Sequence, residues 1–299
     1  MSFLGIDVGT TGCKTCVFRD DGALIASAYR EYDIHTPRPG YAELDAHAVW
    51  REIKDCIAQV SAASAREPIT ALSVSSLGEA VVPVSRDRDI LGPSLLNFDE
   101  RGAEFLEDLG RRLDDQQLYR INGNTLGNHY GLTKLLWMKR HCPDIWENAH
   151  KFLLWGSFVS CMLGAEPVVD YSLANRTLLF DVEAREWSGE LLAWAGLDPA
   201  KLPAIAPSGT VIGNVSQGLA EELGLPVNTA IVTGGHDQCC NAAGAGVVKP
   251  GDAFLGMGTF LCAAPVFESR RDPEIMLPHG LNTEHHVVPD RFLTFLYNQ

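Results

Sequence analysis

The stretch Gly5-Ile6-Asp7-Val8-Gly9-Thr10-Thr11-Gly12 decides how the rest of the chain is read. An apolar strand runs into a turn of glycines and threonines with one aspartate held in it. Glycines admit positive φ and let backbone N–H groups approach an anion, while the hydroxyls of Thr10 and Thr11 add donors that never need to lose a proton. Asp7, an acid placed where phosphate oxygens would gather, makes chemical sense when a cation lies between them, Mg2+ being the usual one. The plain alternative is a hairpin turn whose Asp and Thr cap backbone groups.

Working outward, residues 4–8, 14–19 and 24–32 read as three strands of an antiparallel meander, joined tightly at Asp20-Asp21-Gly22. Val49, Ile53, Cys56, Ile57 and Val60 then repeat at helical spacing after Asp45, a good cap. That helix crosses back to a strand of the buried kind over residues 69–75, which predicts a mixed sheet in an α/β domain. Residues 98–200 read as a mainly helical insertion, with Leu132, Leu135, Leu136 and Met138 on one stripe and Pro143 ending that helix.

The opening grammar recurs twice. Ala230-Ile231-Val232-Thr233-Gly234-Gly235-His236-Asp237-Gln238 is a buried strand that ends in two glycines and an acid. Ala253-Phe254-Leu255-Gly256-Met257-Gly258-Thr259-Phe260 is again strand, Gly-x-Gly-Thr turn and strand. Related meanders at the two ends predict two units of similar design across a cleft, residues 1–249 and the beginning of a second at 250–299.

Composition narrows the function classes. Of 299 residues, 46% are hydrophobic and 21% charged, the balance of a globular protein able to bury a large core. No apolar run is long enough to span a bilayer and Met1-Ser2-Phe3-Leu4 has no basic region, so a cytoplasmic protein without membrane partners is expected. A formal charge of −14 argues against nucleic acid and means that an anionic ligand needs local donors and a metal. The eight cysteines include Cys13-x-x-Cys16, but on a strand these two side chains point to opposite faces, poor geometry for zinc or a disulfide. Cys239-Cys240 read as small buried hydrophobes, and Glu284-His285-His286 as a solvated loop in preference to a ligand cluster.

Taken together, these residues resemble the FGGY carbohydrate kinases, the family that includes xylulokinase and glycerol kinase. The resemblance rests on the opening octapeptide, residues 40–50, Asp99-x-Arg101 after Asn97-Phe98, Gly123-Asn124 ahead of Lys134, Asp170-Tyr171-Ser172 followed by Thr177, Gly234-Gly235-His236-Asp237, and Gly256-Met257-Gly258-Thr259. It implies an actin-like pair of ribonuclease-H-like domains, sugar held by the first and ATP mainly by the second. By the same resemblance Asp237 matches the catalytic base and Asp7 the acid that acts through Mg2+. Thr10, Thr11 and Lys14 match the phosphate-facing group, and Gly258 and Thr259 the nucleotide loop of the second domain.

Substrate contacts are expected from Glu79, Gly78, Asp99, Arg101 and His236. At Ser75-Ser76-Leu77-Gly78-Glu79-Ala80, Glu79 aligns with a carboxylate that binds polyol hydroxyls in glycerol kinases, while Gly78 replaces their neighbouring arginine. A carboxylate accepts from two vicinal hydroxyls, which favours a neutral sugar or polyol over a sugar acid. His236 reads equally well as a packed residue behind the base. Family members are markedly longer, so the chain reads as their N-terminal portion, inactive alone, with an incomplete second sheet whose exposed edge favours association as a homodimer. A non-catalytic sugar-binding module or pseudokinase, and an actin-like ATPase without a sugar, are the readings from other classes.

Overall fold

A computed structural model describes residues 1–257 and 261–298, so Gly258 and Thr259 lie outside the described residues. The opening meander is present as β1 (Ser2–Val8), β2 (Gly12–Arg19) and β3 (Leu24–Glu31). Register across β1 and β2 sets Asp7 opposite Lys14. The turn between them closes through the Gly9 N–H, which donates to the Gly12 carbonyl at 2.9 Å. Contrary to the sequence expectation, neither Gly9 nor Gly12 takes a positive φ. Glycine is required at 12 by space instead: a Cβ there would stand 2.6 Å from the Tyr29 hydroxyl and 2.8 Å from the Arg30 carbonyl.

Helix α1 (Ala46–Ala63) starts where Asp45 accepts from the backbone N–H groups of His47 and Ala48. Its apolar face, Val49, Ile53, Cys56, Ile57 and Val60, is buried against β2 and β3. Full burial of each such aliphatic side chain contributes roughly 1.5–3 kcal/mol, so this face anchors the helix. The chain then returns as β4 (Ile69–Ser76), parallel to β1.

The insertion is helical as expected. Its helix α2 (Gly131–His141) buries Leu132, Leu135, Leu136 and Met138, and Pro143 opens the next helix. Short strands that periodicity did not show also lie within it, among them Lys151–Leu154, which pairs with Val81–Val84. Helix α3 (Tyr171–Asn175) is capped by Asp170.

After the insertion, β5 (Val211–Asn214) and β6 (Ala230–His236) complete a six-stranded sheet of order β5-β6-β4-β1-β2-β3. Its centre, β6, β4 and β1, is parallel. Ligand crevices in such sheets open beyond the carboxyl ends of the strands. Here those ends are Asp7-Val8, Ser75-Ser76 and Gly235-His236, aligned in one row: Asp7 opposite Ser75, Ser75 opposite Gly235. The two glycines belong to β6 itself and not to a turn that admits substrate. A Cβ on Gly235 would meet Val287 Cγ1 at 2.3 Å and Ser172 Oγ at 2.9 Å. Helix α4 (Asp237–Gly244) begins immediately after β6.

Beyond residue 250 lies a separate sheet, β7 (Ala253–Met257), β8 (Leu261–Phe267), β9 (Glu284–His285), β10 (Phe292–Leu293) and β11 (Leu296–Asn298). Its path is β7-β8-β10-β9, with β11 also on β8. Its edge strand β7 exposes Leu255 and Met257. The solvated loop expected at Glu284-His285-His286 is instead buried. His285 Nε2 is 2.8 Å from the Val182 carbonyl and its ring packs on Tyr171 and Phe292. Among the described residues all eight cysteines are free, with Cys13 buried and Cys16 half-buried on opposite faces of β2, and no helix is long and apolar enough to cross a membrane.

Candidate active site

A cavity of about 600 Å3 opens at the carboxyl ends of the parallel strands. The first-turn Thr10, the β4 extension Leu77-Gly78-Glu79 and the β6 end His236-Asp237 all line it. Asn282 and Phe295, from the segment beyond residue 250, form the facing wall.

Asp237 is the first residue of α4, where the helix N-terminus favours its ionised form. Burial outweighs this and, with the charges of Asp7 and Glu79 nearby, pushes its pKa up to about 7. His236 Nε2 lies 3.3 Å from Asp237 Oδ1. Burial holds that imidazole neutral well below its usual range, so it acts as a dipole beside the carboxylate and not as a cation. The pair is held from behind: the His236 N–H donates to Ser172 Oγ at 2.9 Å, and Ser172 donates to the buried Asp170 carboxylate.

Asp7, at the end of β1 and so two strands from β6, accepts from Ser75 Oγ at 2.8 Å. Partial burial at the cleft floor raises its pKa against the pull of Ser75 and Lys14. Thr11 and Lys14 are exposed on the same hairpin. The Asp7 charge raises the proton affinity of Asp237 across an open cleft, an arrangement suited to a cation. Among the described residues no three His, Cys, Asp or Glu side chains form a ligand cage. A single exposed carboxylate on an open cleft has the hard oxygen donors that Mg2+ prefers, and Asp7 would hold such an ion through its waters.

Glu79 sits at φ 61, a position that a non-glycine residue occupies only when its surroundings hold it there. Its Oε1 accepts from both Nε and Nη2 of Arg176, the Nε contact being 2.7 Å. Gly78 has no room for a larger residue: a Cβ would stand 3.1 Å from Nε2 and Cδ2 of His236 and 3.2 Å from Cγ of Arg176.

The profile of the FGGY family of carbohydrate kinases, N-terminal domain, matches residues 2–244. The chain belongs to this family. It is 32% identical over 298 residues to an autoinducer-2 kinase of Escherichia coli (strain SMS-3-5 / SECEC), covering 96% of this chain and 54% of that protein. It is 27% identical over 256 residues to a xylulose kinase of Staphylococcus xylosus, covering 86% and 53%. Among solved structures, a "xyloylose kinase" from Brucella ovis superposes with a TM-score of 0.90 at 26% identity, over 99% of this chain and 60% of that one. The xylulose kinase of Rhodospirillum rubrum superposes at 0.92 and 24% identity, a likeness of fold. The architecture is thus the actin-like α/β fold of the FGGY kinases, and the chain spans about half the length of the curated relatives it matches.

Within this FGGY fold the structure brings Thr10, Gly78, Glu79, His236 and Asp237 to one crevice, with Asp7 outside its lining but near enough to raise Asp237. It places Asp99 and Arg101 elsewhere, which corrects the expectation that they form the second polar wall of the sugar site. Asp99 is buried, accepting from the Ala42 N–H at 2.6 Å and from Arg101. Arg101 bonds Glu43 at 2.7 Å, stacks on Tyr41 and Trp137, and faces a different cavity. The buried Lys134 ammonium, lowered to about 8 by burial, donates to the carbonyls of Asp99 and Arg101, fastening this loop to α2. From the same loop Asn97, not singled out in the sequence, does line the crevice. Tyr130, Arg176 and Gln238 line it too. Arg176 left a trace: it is the only charge in the run Tyr171-Ser172-Leu173-Ala174-Asn175-Arg176-Thr177-Leu178-Leu179-Phe180, where a buried cation must find an acid.

Proposed function

We propose that the chain is the sugar-binding part of an ATP-dependent kinase that phosphorylates a hydroxyl of a neutral ketose or polyol. The observation that carries this is Asp237: a carboxylate raised to about 7, in a crevice that also holds Glu79 and the Thr10 turn. A base with a pKa near the working pH both occurs deprotonated and holds a proton well, the compromise general-base catalysis needs. Asp237 takes the proton of the attacking hydroxyl, and neutral His236 keeps the carboxylate oriented without stabilising its charge so strongly that basicity is lost.

Glu79 accepts hydrogen bonds from substrate hydroxyls, while Asn97 and Gln238 offer amide donors and acceptors. Arg176 is already matched by two acids, Glu79 and Glu284, so among the described residues the crevice lining has no spare cation for a sugar acid. Relatives named xylulose kinase and autoinducer-2 kinase fit a small neutral polyhydroxylated substrate. Thr10, Thr11 and Lys14 face the transferred phosphate, and the family resemblance assigns the nucleotide phosphates to Gly258 and Thr259, which lie outside the described residues. Mg2+ held through Asp7 would supply charge neutralisation between phosphate oxygens and the acids.

Calorimetric titration with D-xylulose, other pentuloses, pentoses and polyols tests the reading. One of these binds, and Glu79→Ala removes the binding. No binding of any of them, together with ATP hydrolysis indifferent to sugar, would establish an actin-like ATPase instead. Sugar binding retained in a longer form that carries the whole nucleotide site but never phosphorylates would favour the non-catalytic module.

A further inference from the structure

Glu79 does not reach the crevice wall unaided. Arg176, at the C-terminal cap of α3, grips Glu79 Oε1 with two nitrogens while its Nη1 donates to Glu284 Oε1 at 2.6 Å. All three side chains are buried, and the guanidinium lies under the Tyr130 ring, 4.9 Å from its centroid. Glu284 belongs to β9, in the segment beyond residue 250, and is itself tied to that segment's part of the wall. Asn282 Nδ2 donates to Glu284 Oε1 at 3.3 Å, and Asn282 Oδ1 accepts from the Phe295 N–H at 2.7 Å. Asn282 and Phe295 both line the crevice.

We propose that Glu284 is a positioning residue for substrate: through Arg176 it holds the Glu79 carboxylate in place, so that the wall built beyond residue 250 sets the geometry of the polyol contact contributed by the first sheet.

This inference rests on the sugar-binding reading above. Its mechanical content is separate. A buried guanidinium deprived of one acceptor turns toward another, and the Glu79 carboxylate that it grips turns with it. Removal of Glu284 therefore acts on the loop 77–80 whether or not substrate is present. Burial pushes Glu284 up to about 7, and its Oε2 is buried without a partner, so an uncharged amide of the same shape is a close substitute.

The test compares Glu284→Ala and Glu284→Gln in the 299-residue chain, with D-xylulose and glycerol as probes and with amide hydrogen exchange of residues 77–80 as a substrate-free readout. Glu284→Ala is expected to weaken binding of the preferred probe about tenfold and to raise exchange in that loop, leaving α1 and β1 unchanged, while Glu284→Gln restores both to within about threefold. Equal exchange at 77–80 in wild type and Glu284→Ala overturns the positioning role. Raised exchange with unaltered probe binding also overturns it, since Glu79 would then move without consequence for substrate. If neither probe nor any other sugar binds the wild type, the proposed function fails, and the exchange measurement alone decides whether Glu284 holds Glu79. Should Glu284→Ala not fold, Glu284→Asp, whose carboxylate is withdrawn by one methylene, is read in the same two ways.

Discussion

A Cβ built on Gly234 would stand 2.0 Å from the carbonyl oxygen of Val74, so β6 and β4 approach each other at a distance only glycine allows. The register of β6 against β4 shifts between Val232 and Gly235, at this contact. Gly234→Ala must push the strands apart. Overpacking of this kind costs typically ~1–3 kcal/mol, and Asp237, just beyond the end of β6, should be displaced with it. Urea denaturation that gave the same midpoint for Gly234→Ala and wild type would contradict the packing argument.

Asp237→Asn keeps shape and loses proton affinity. In a longer form that carries the whole nucleotide site, phosphoryl transfer should drop by ~10² to 10⁴, while sugar affinity stays within a few-fold. The variant also reports on stability. The folded pKa of about 7 lies above the ordinary carboxylate value of 3.8, so between these pH values the folded state binds the extra proton and stability falls as pH rises. An asparagine side chain at this position carries no such penalty. Melting temperatures should therefore show Asp237→Asn stabilised relative to wild type at pH 8 and not at pH 4.

Asp7 raises Asp237 by like charge, so its neutralisation should be visible at a distance. In Asp7→Asn the Asp237 carboxyl should titrate at lower pH, measured by carbon NMR of the labelled side chain, and in a longer form with the whole nucleotide site the Mg2+ dependence of phosphorylation should weaken. An unshifted Asp237 titration would mean that the two acids do not sense each other.

Glu79→Ala removes an ionised acceptor whose loss typically costs roughly 1.5 to 3 kcal/mol, enough to abolish weak sugar binding. Calorimetry that returned the same affinity for variant and wild type would rule out Glu79 as a substrate contact.

Asn97 and Arg101 belong to one loop and should fail in different ways. Asn97→Ala should weaken sugar binding with little change in melting temperature. Arg101→Met strips the buried Asp99 of its partner, a change that typically costs ~3–5 kcal/mol, and should lower the melting temperature while the folded fraction binds sugar normally. A normal melting temperature with lost sugar affinity in Arg101→Met would restore it to the substrate site.

Much of the central sheet was legible because its strands carry period-two or wholly apolar patterns bounded by glycines, as at residues 2–8 and 230–236. Helix α1 announced itself through Asp45 and one unbroken apolar face. What could not be read was pairing across long separations. Arg101 and Arg176 are both arginines near family motifs, yet Glu43 draws one away from the crevice while Glu79 and Glu284 hold the other at it, a difference made by acids 58 to 108 residues away in the chain. His285 and His286 look solvated locally because Tyr171, Phe292 and the Val247 carbonyl, which cover or bind them, come from elsewhere. Strands of two residues, such as Val168–Val169, are too short to show any period.

The sharing of Arg176 by Glu79 and Glu284 leaves the crevice, among the described residues that line it, without an unclaimed positive charge, while Asp237 lines it and the Asp7 charge acts on Asp237 from nearby. On a molecule of formal charge −14 this makes the entrance a filter by charge. An uncharged polyhydroxyl compound crosses the field without electrostatic work. A bare polyphosphate meets those carboxylates with Lys14 of the first hairpin as the nearby cation, and gains from a further cation that travels with it.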